Sequence, residues 1–114
     1  MRMNERITLR SERDAQGSRH LDLLRDDAGN IKLEGQDLGN LVEAFWGKGL
    51  REYEWVHTIP AGQDRKIRDA LGGAVGSDMV RLISQWCADH DADNLERTLQ
   101  AHGVKIERWS WVTE

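Results

Sequence analysis

Apolar and polar positions alternate with period two over the first third of the chain. In residues 5–13, Ile7 and Leu9 alternate with Arg6, Thr8 and Arg10, the pattern of a half-buried strand. The stretch "DAQGS" (14–18) supplies a turn, after which Leu21 and Leu23 alternate with His20 and Asp22. "DDAGN" (26–30) is a second turn, and Ile31 and Leu33 then alternate with Lys32 and Glu34. Short turns between such strands predict an antiparallel three-stranded meander.

The period then changes. Leu38, Leu41, Val42, Phe45 and Trp46 follow i, i+3, i+4, i+7, i+8, one face of a helix, with Asp37 as its N-cap and Gly47 after its end. "REYEWVHTIP" (51–60) returns to strand periodicity. Residues 62–71 predict a short helix that turns Ile67, Ala70 and Leu71 inward. Ser77 is placed to cap a further helix carrying Met79, Val80, Leu82, Ile83, Trp86 and Cys87. Asp93 and Glu96 have capping-box spacing for a last helix, which Gly103 stops. "VKIERWSWV" (104–112) is a closing strand. The predicted order is βββαβαααβ, an α+β chain with helices on one face of an antiparallel sheet, as a single domain over 1–114. Leu41, Phe45, Ile83 and Trp86 are the expected helical core. Periodicity leaves open whether the closing strand pairs with the first or the fourth.

Strand parity sorts the chemistry of the fourth strand. Tyr53, Trp55, His57 and Ile59 share one face; Glu52, Glu54, Val56 and Thr58 share the other. Glu54 and His57 are therefore apart and do not form a joint metal site. Glu52 and Glu54 lie about 7 Å apart along a strand rising roughly 3.3 Å per residue, a spacing that suits either a catalytic carboxylate pair or two solvated glutamates on an outer face. Trp109 and Trp111 lie opposite Val104 and Ile106, so one of these sets is exposed unless the strand twists or bulges. Paired exposed tryptophans are interface anchors. Cys87 and His90 are three residues apart, but a zinc site needs further ligands, and Cys87 follows Ile83 by four residues on the apolar face. It is expected in the core, with no metal and no cofactor bound. "LGGAVGSD" (71–78) lacks the lysine of a phosphate loop and suits a helix end followed by a helix start. No serine sits in a nucleophile elbow, and no triad is assembled by spacing.

Composition narrows the class. The chain has 114 residues, 32% of them charged, and a net charge of −4, which disfavours a nonspecific nucleic-acid binder. Its 12 arginines could still gather on one face. A single cysteine excludes an internal disulfide and suits a reducing compartment. The first residues carry no apolar run of the secretory kind, and no apolar stretch is long enough to span a membrane. A cytoplasmic protein is expected.

"LEGQDLGNLVEAFWG" (33–47) followed by "YEW" (53–55) resembles a set of small acidic bacterial proteins, some of similar size and charge serving as immunity partners of delivered toxins. The resemblance covers about the first half of the chain and carries no catalytic motif. It implies a non-catalytic, protein-binding role, with a nuclease-type toxin domain as the partner. Two acidic groups are placed to meet a basic cleft: Glu34, Asp37 and Glu43, and Asp89, Asp91, Asp93 and Glu96. Glu52, Glu54, Trp109 and Trp111 complete the candidate surface. The alternative is a nucleic-acid-binding or regulatory module using Arg6, Arg10, Arg108 and Trp109 on a sheet face.

Overall fold

The computed structural model describes residues 5–15, 17–39, 42, 47 and 52–113. Five strands form one antiparallel sheet: β1 (Glu5–Asp14), β2 (Gly17–Arg25), β3 (Ile31–Gly39), β4 (Glu52–Ile59) and β5 (Glu107–Thr113). Their spatial order is their chain order, so the closing strand pairs with the fourth and the meander runs across the whole sheet. Between β4 and β5 come helices α1 (Asp64–Leu71), α2 (Met79–His90) and α3 (Leu95–Ala101), with a 3-10 turn at Ala92–Asn94. The chain is α+β, with these helices on one sheet face. Among the described residues no helix is long and apolar enough to cross a membrane.

The turn between β2 and β3 shows why the meander closes so tightly. The Asp26 carboxylate accepts the backbone N–H groups of Ala28 and Asn30 at 3.0 and 2.9 Å, and Gly29 takes φ +88°, a value that an L side chain resists. The core lies between α1–α3 and one row set of the sheet. Leu21, Leu23, Ile31, Leu33 and Ile59 meet Ile67 of α1, Met79, Val80 and Ile83 of α2, and Leu95 and Leu99 of α3. Trp86, expected in this core, packs against it half-buried and stacks on His90 with ring centroids 4.6 Å apart. Leu24 and Val42 are also buried but stand outside this cluster.

Several boundaries differ from those expected. β3 continues through Gly39, so Asp37 and Leu38 are strand residues rather than the start of a helix. Each is paired on both sides, Asp37 with Arg19 and Tyr53, Leu38 with Ser18 and Glu52; two complete ladders outweigh the helical spacing of the following apolar residues. Of that expected helix Val42 is helical and buried, whereas Leu41, Glu43, Phe45 and Trp46 lie outside the described residues. Asp78, not Ser77, caps α2, accepting the Arg81 N–H at 3.2 Å. No capping box forms at Asp93. Asp91 takes φ +75° and accepts the Asp93 N–H, and the side chains of Asp93 and Glu96 are drawn to cationic groups on the sheet.

Candidate functional site

Register fixes which side chains share a face. Three neighbouring rows cross the face that α1–α3 leave uncovered. One runs Thr8, Asp22, Glu34, Val56, Trp109; the next Ser11, His20, Gln36, Glu54, Trp111; the third Arg13, Ser18, Leu38, Glu52. The carboxylates of Glu52 and Glu54 and the indoles of Trp109 and Trp111 therefore lie side by side. The two tryptophans contact ring to ring, with centroids 3.6 Å apart, and Trp109 is 56% exposed. Of the two sets that parity separated, Val104 is buried, Trp109 is exposed and Trp111 is half-buried; the tryptophans lie on the sheet face away from α1–α3.

Gln36 joins the carboxylates. Its Nε2 donates to Glu52 Oε1 at 2.9 Å and to Glu54 Oε1 at 3.0 Å. The proximity of Glu52, with partial desolvation adding to it, raises the Glu54 carboxyl above its ordinary range, against the opposing pull of the Gln36 amide. One amide thus ties two carboxylates of β4 to β3 and keeps their negative charge together. The arrangement suits a cationic group brought from outside.

The β2 side of the same face is internally compensated. Asp22 is 9% exposed and accepts from Arg6 at 2.7 Å, Thr8 at 2.9 Å and His20 at 2.8 Å. Arg6 also donates to Glu34 at 3.0 Å. Burial works against the Asp22 carboxylate, but these donors outweigh it and hold its pKa below the usual range.

Asp37 occupies the opposite face, 3.6 Å from Arg19, so it does not join Glu34. Of the second acidic group, Asp89 is exposed and meets the Gln85 amide at 3.5 Å, whereas the other three are drawn to the sheet. Asp93 and Asp91 hold Arg10 at 3.0 and 3.8 Å. Glu96 receives His57 Nδ1 at 2.5 Å and Arg108 at 2.9 Å. The arginine constellation is split in the same way. Arg6 and Trp109 share the face away from α1–α3, whereas Arg10 and Arg108 sit on the face toward those helices, tied to carboxylates. Arg10 arrives there through a β-bulge: the β1–β2 register shifts between Thr8 and Arg10, so Arg10 pairs with Leu21 instead of facing outward.

The His57–Glu96–Arg108 network was not foreseen in the sequence, although parity carried a signal for it. His57 and Arg108 fall on otherwise apolar-facing positions, where a polar group needs a partner. Desolvation opposes the Glu96 carboxylate, yet His57 and Arg108 hold its pKa below the ordinary value. Cys87 is half-buried beside a groove of about 570 Å³ between β1 and α2. Burial, with Asp91 adding to it, pushes its thiol up to about 11, which keeps it protonated and poorly nucleophilic.

The lowered carboxyls give a pH prediction. Asp22 and Glu96 ionise more readily folded than unfolded, so the stability they lend is complete above the unfolded range near about pH 4. It is lost as pH falls through their lower folded values. Between about pH 6 and 3, the urea midpoint of the wild type is expected to fall further than that of the Asp22→Asn/Glu96→Gln variant. Equal falls would remove these two groups from the acid response.

No family model matches the chain, and no curated protein or solved structure matches it either.

Proposed function

We propose that this chain is a non-catalytic binding protein that uses the sheet face away from α1–α3 to occupy a basic cleft on another protein, as an immunity protein does for a nuclease-type toxin. The observation that carries the reading is the Trp109–Trp111 pair beside the Gln36-bridged carboxylates of Glu52 and Glu54. The exposed Trp109, with the half-buried Trp111 against it, supplies anchoring area, and the adjacent carboxylates supply charge complementarity to arginine or lysine and speed encounter. The net charge of −4 acts in the same direction. The resemblance of the segments at 33–47 and 53–55 to small bacterial immunity-type proteins points to the partner class, and a single cysteine suits action in the reducing cytoplasm.

The test is binding kinetics and nuclease inhibition with a basic toxin domain encoded beside the gene. Glu52→Gln/Glu54→Gln is expected to slow association by about tenfold at low salt, an effect that shrinks as salt screens the charges. Trp109→Ala is expected to cost about 2 kcal/mol, chiefly through faster dissociation. Failure of the wild-type protein to bind or inhibit the domain would overturn the reading. If binding persists unchanged in both variants, this face is not the interface.

A further inference from the structure

The sheet has two edges, and they are built differently. β1 carries six charged residues in ten, and its ladder is broken by the bulge at Thr8–Arg10. Charge and bulges are the usual protection of an edge against unwanted pairing. β5 has neither. Its register with β4 is unbroken from Glu107 to Thr113; its sequence ERWSWVT has two charged residues in seven and no proline. Among the described residues no strand pairs with its outer side.

We infer that β5 is a dimerisation edge that pairs antiparallel with β5 of a second copy, with the two-fold axis at Ser110. The occupant follows from the sequence of the edge itself. Antiparallel pairing about Ser110 sets Trp109 against Trp111 of the second copy, and Trp111 against Trp109. Arg108 meets Val112, and Glu107 meets Thr113, so no like charges are opposed. Cross-strand aromatic pairs stabilise such a ladder, and like charges directly opposite would destabilise it. The contact is isologous, as a two-fold dimer requires. It gathers four indoles at the centre of a continuous ten-stranded sheet and shields the flank of Trp109, 56% exposed in the single chain. The two copies' Glu52–Glu54 pairs lie on either side of that cluster, on one extended face.

This inference does not rest on the binding partner proposed above, because it is read on the purified protein alone. A seven-residue edge is smaller than a standard interface of about 800 Å² per partner, so association in the micromolar range is expected. Sedimentation of the wild type from about 1 to 100 µM should show a monomer passing to a dimer, as expected for a contact below standard size. Ser110 is exposed, and the axis places it against itself. Ser110→Glu and Ser110→Lys should each weaken self-association at least tenfold, whereas an equimolar mixture of the two should recover a dimer. A wild type that stays monomeric throughout, or a Ser110→Glu variant that dimerises like the wild type, overturns the proposal, and so does a mixture of folded variants that stays monomeric. Should a variant fail to fold, amide exchange of residues 107–113 in the wild type decides. Protection that rises with protein concentration supports the edge pairing; protection independent of concentration overturns it.

Discussion

Ile83→Ala is expected to destabilise the protein by about 2–5 kcal/mol, the range for removing most of a large aliphatic side chain from a closed core. Ile83 has no exposed surface, and its α2 neighbours Met79 and Val80, one turn earlier, are equally enclosed. All three belong to the cluster that α2 forms over Leu21 and Leu23 of the sheet. Truncation removes three carbon atoms and leaves a cavity lined from both layers, which helix and sheet cannot close without shifting together. Domains of this size have only about 5–15 kcal/mol of total stability, so a large part of it is at stake. In urea unfolding the midpoint should drop while the slope stays constant, because the surface exposed on unfolding hardly changes. Arg81→Ala, at an exposed position of the same helix, should stay within about 0.5 kcal/mol of wild type. A loss at Ile83 as small as that control would show that α2 does not dock through this face.

The fold was legible wherever one periodicity governed a whole element. Alternation alone located the meander, because each strand has one face against helices and one turned away, so Ile7, Leu23, Leu33 and Ile59 declare the covered side. It misplaced the end of β3 because Leu38 fits both periods: it closes a strand ending at Gly39, and it begins the i, i+3, i+4 series of Leu41 and Val42. Only pairing with Ser18 and Glu52, a tertiary fact, selects the strand. The bulge in β1 was hidden for the same reason. An extra residue at Leu9 leaves the alternation intact to the eye but sends Arg10 to the covered side, where Asp91 and Asp93, eighty residues on, receive it.

The candidate surface was legible in part. Parity correctly put Glu52 with Glu54 and Trp109 with Trp111, but each pair was placed only within its own strand. That they are neighbours follows from the β4–β5 register, which sets Glu54 opposite Trp111. Gln36 went unnoticed because a glutamine in a strand carries no signal of its own; its role appears only once β3 lies beside β4. Conversely, clustering in sequence misled for Asp91, Asp93 and Glu96. Their proximity suggested a free acidic patch, whereas in space each faces a cation or a histidine.

Gly35→Val is expected to cost about 3 kcal/mol or more, at the upper end of overpacking effects. The backbone of Gly35 is not the reason, since its φ is not among the positive values. Space is the reason. Gly35 stands opposite Trp55 in the β3–β4 ladder, and the indole lies across it so closely that a Cβ would fall 2.0 Å from Trp55 Cε2 and 2.2 Å from Cζ2. A bare glycine in the middle of a strand otherwise weakens it; here it makes the seat for the ring. Any side chain must push the indole away from the hydrophobic cluster it packs against and from His57, whose ring centre is 4.5 Å away. His57 in turn holds Glu96, so the disturbance reaches α3. The cause is separable by a cycle with Trp55→Ala. If the clash dominates, Gly35→Ala should be costly in the wild type and nearly neutral once the ring is gone, a non-additivity of at least about 1 kcal/mol, as found for residues in contact. Additive costs would mean that Gly35 matters for the strand itself and not as the seat of Trp55.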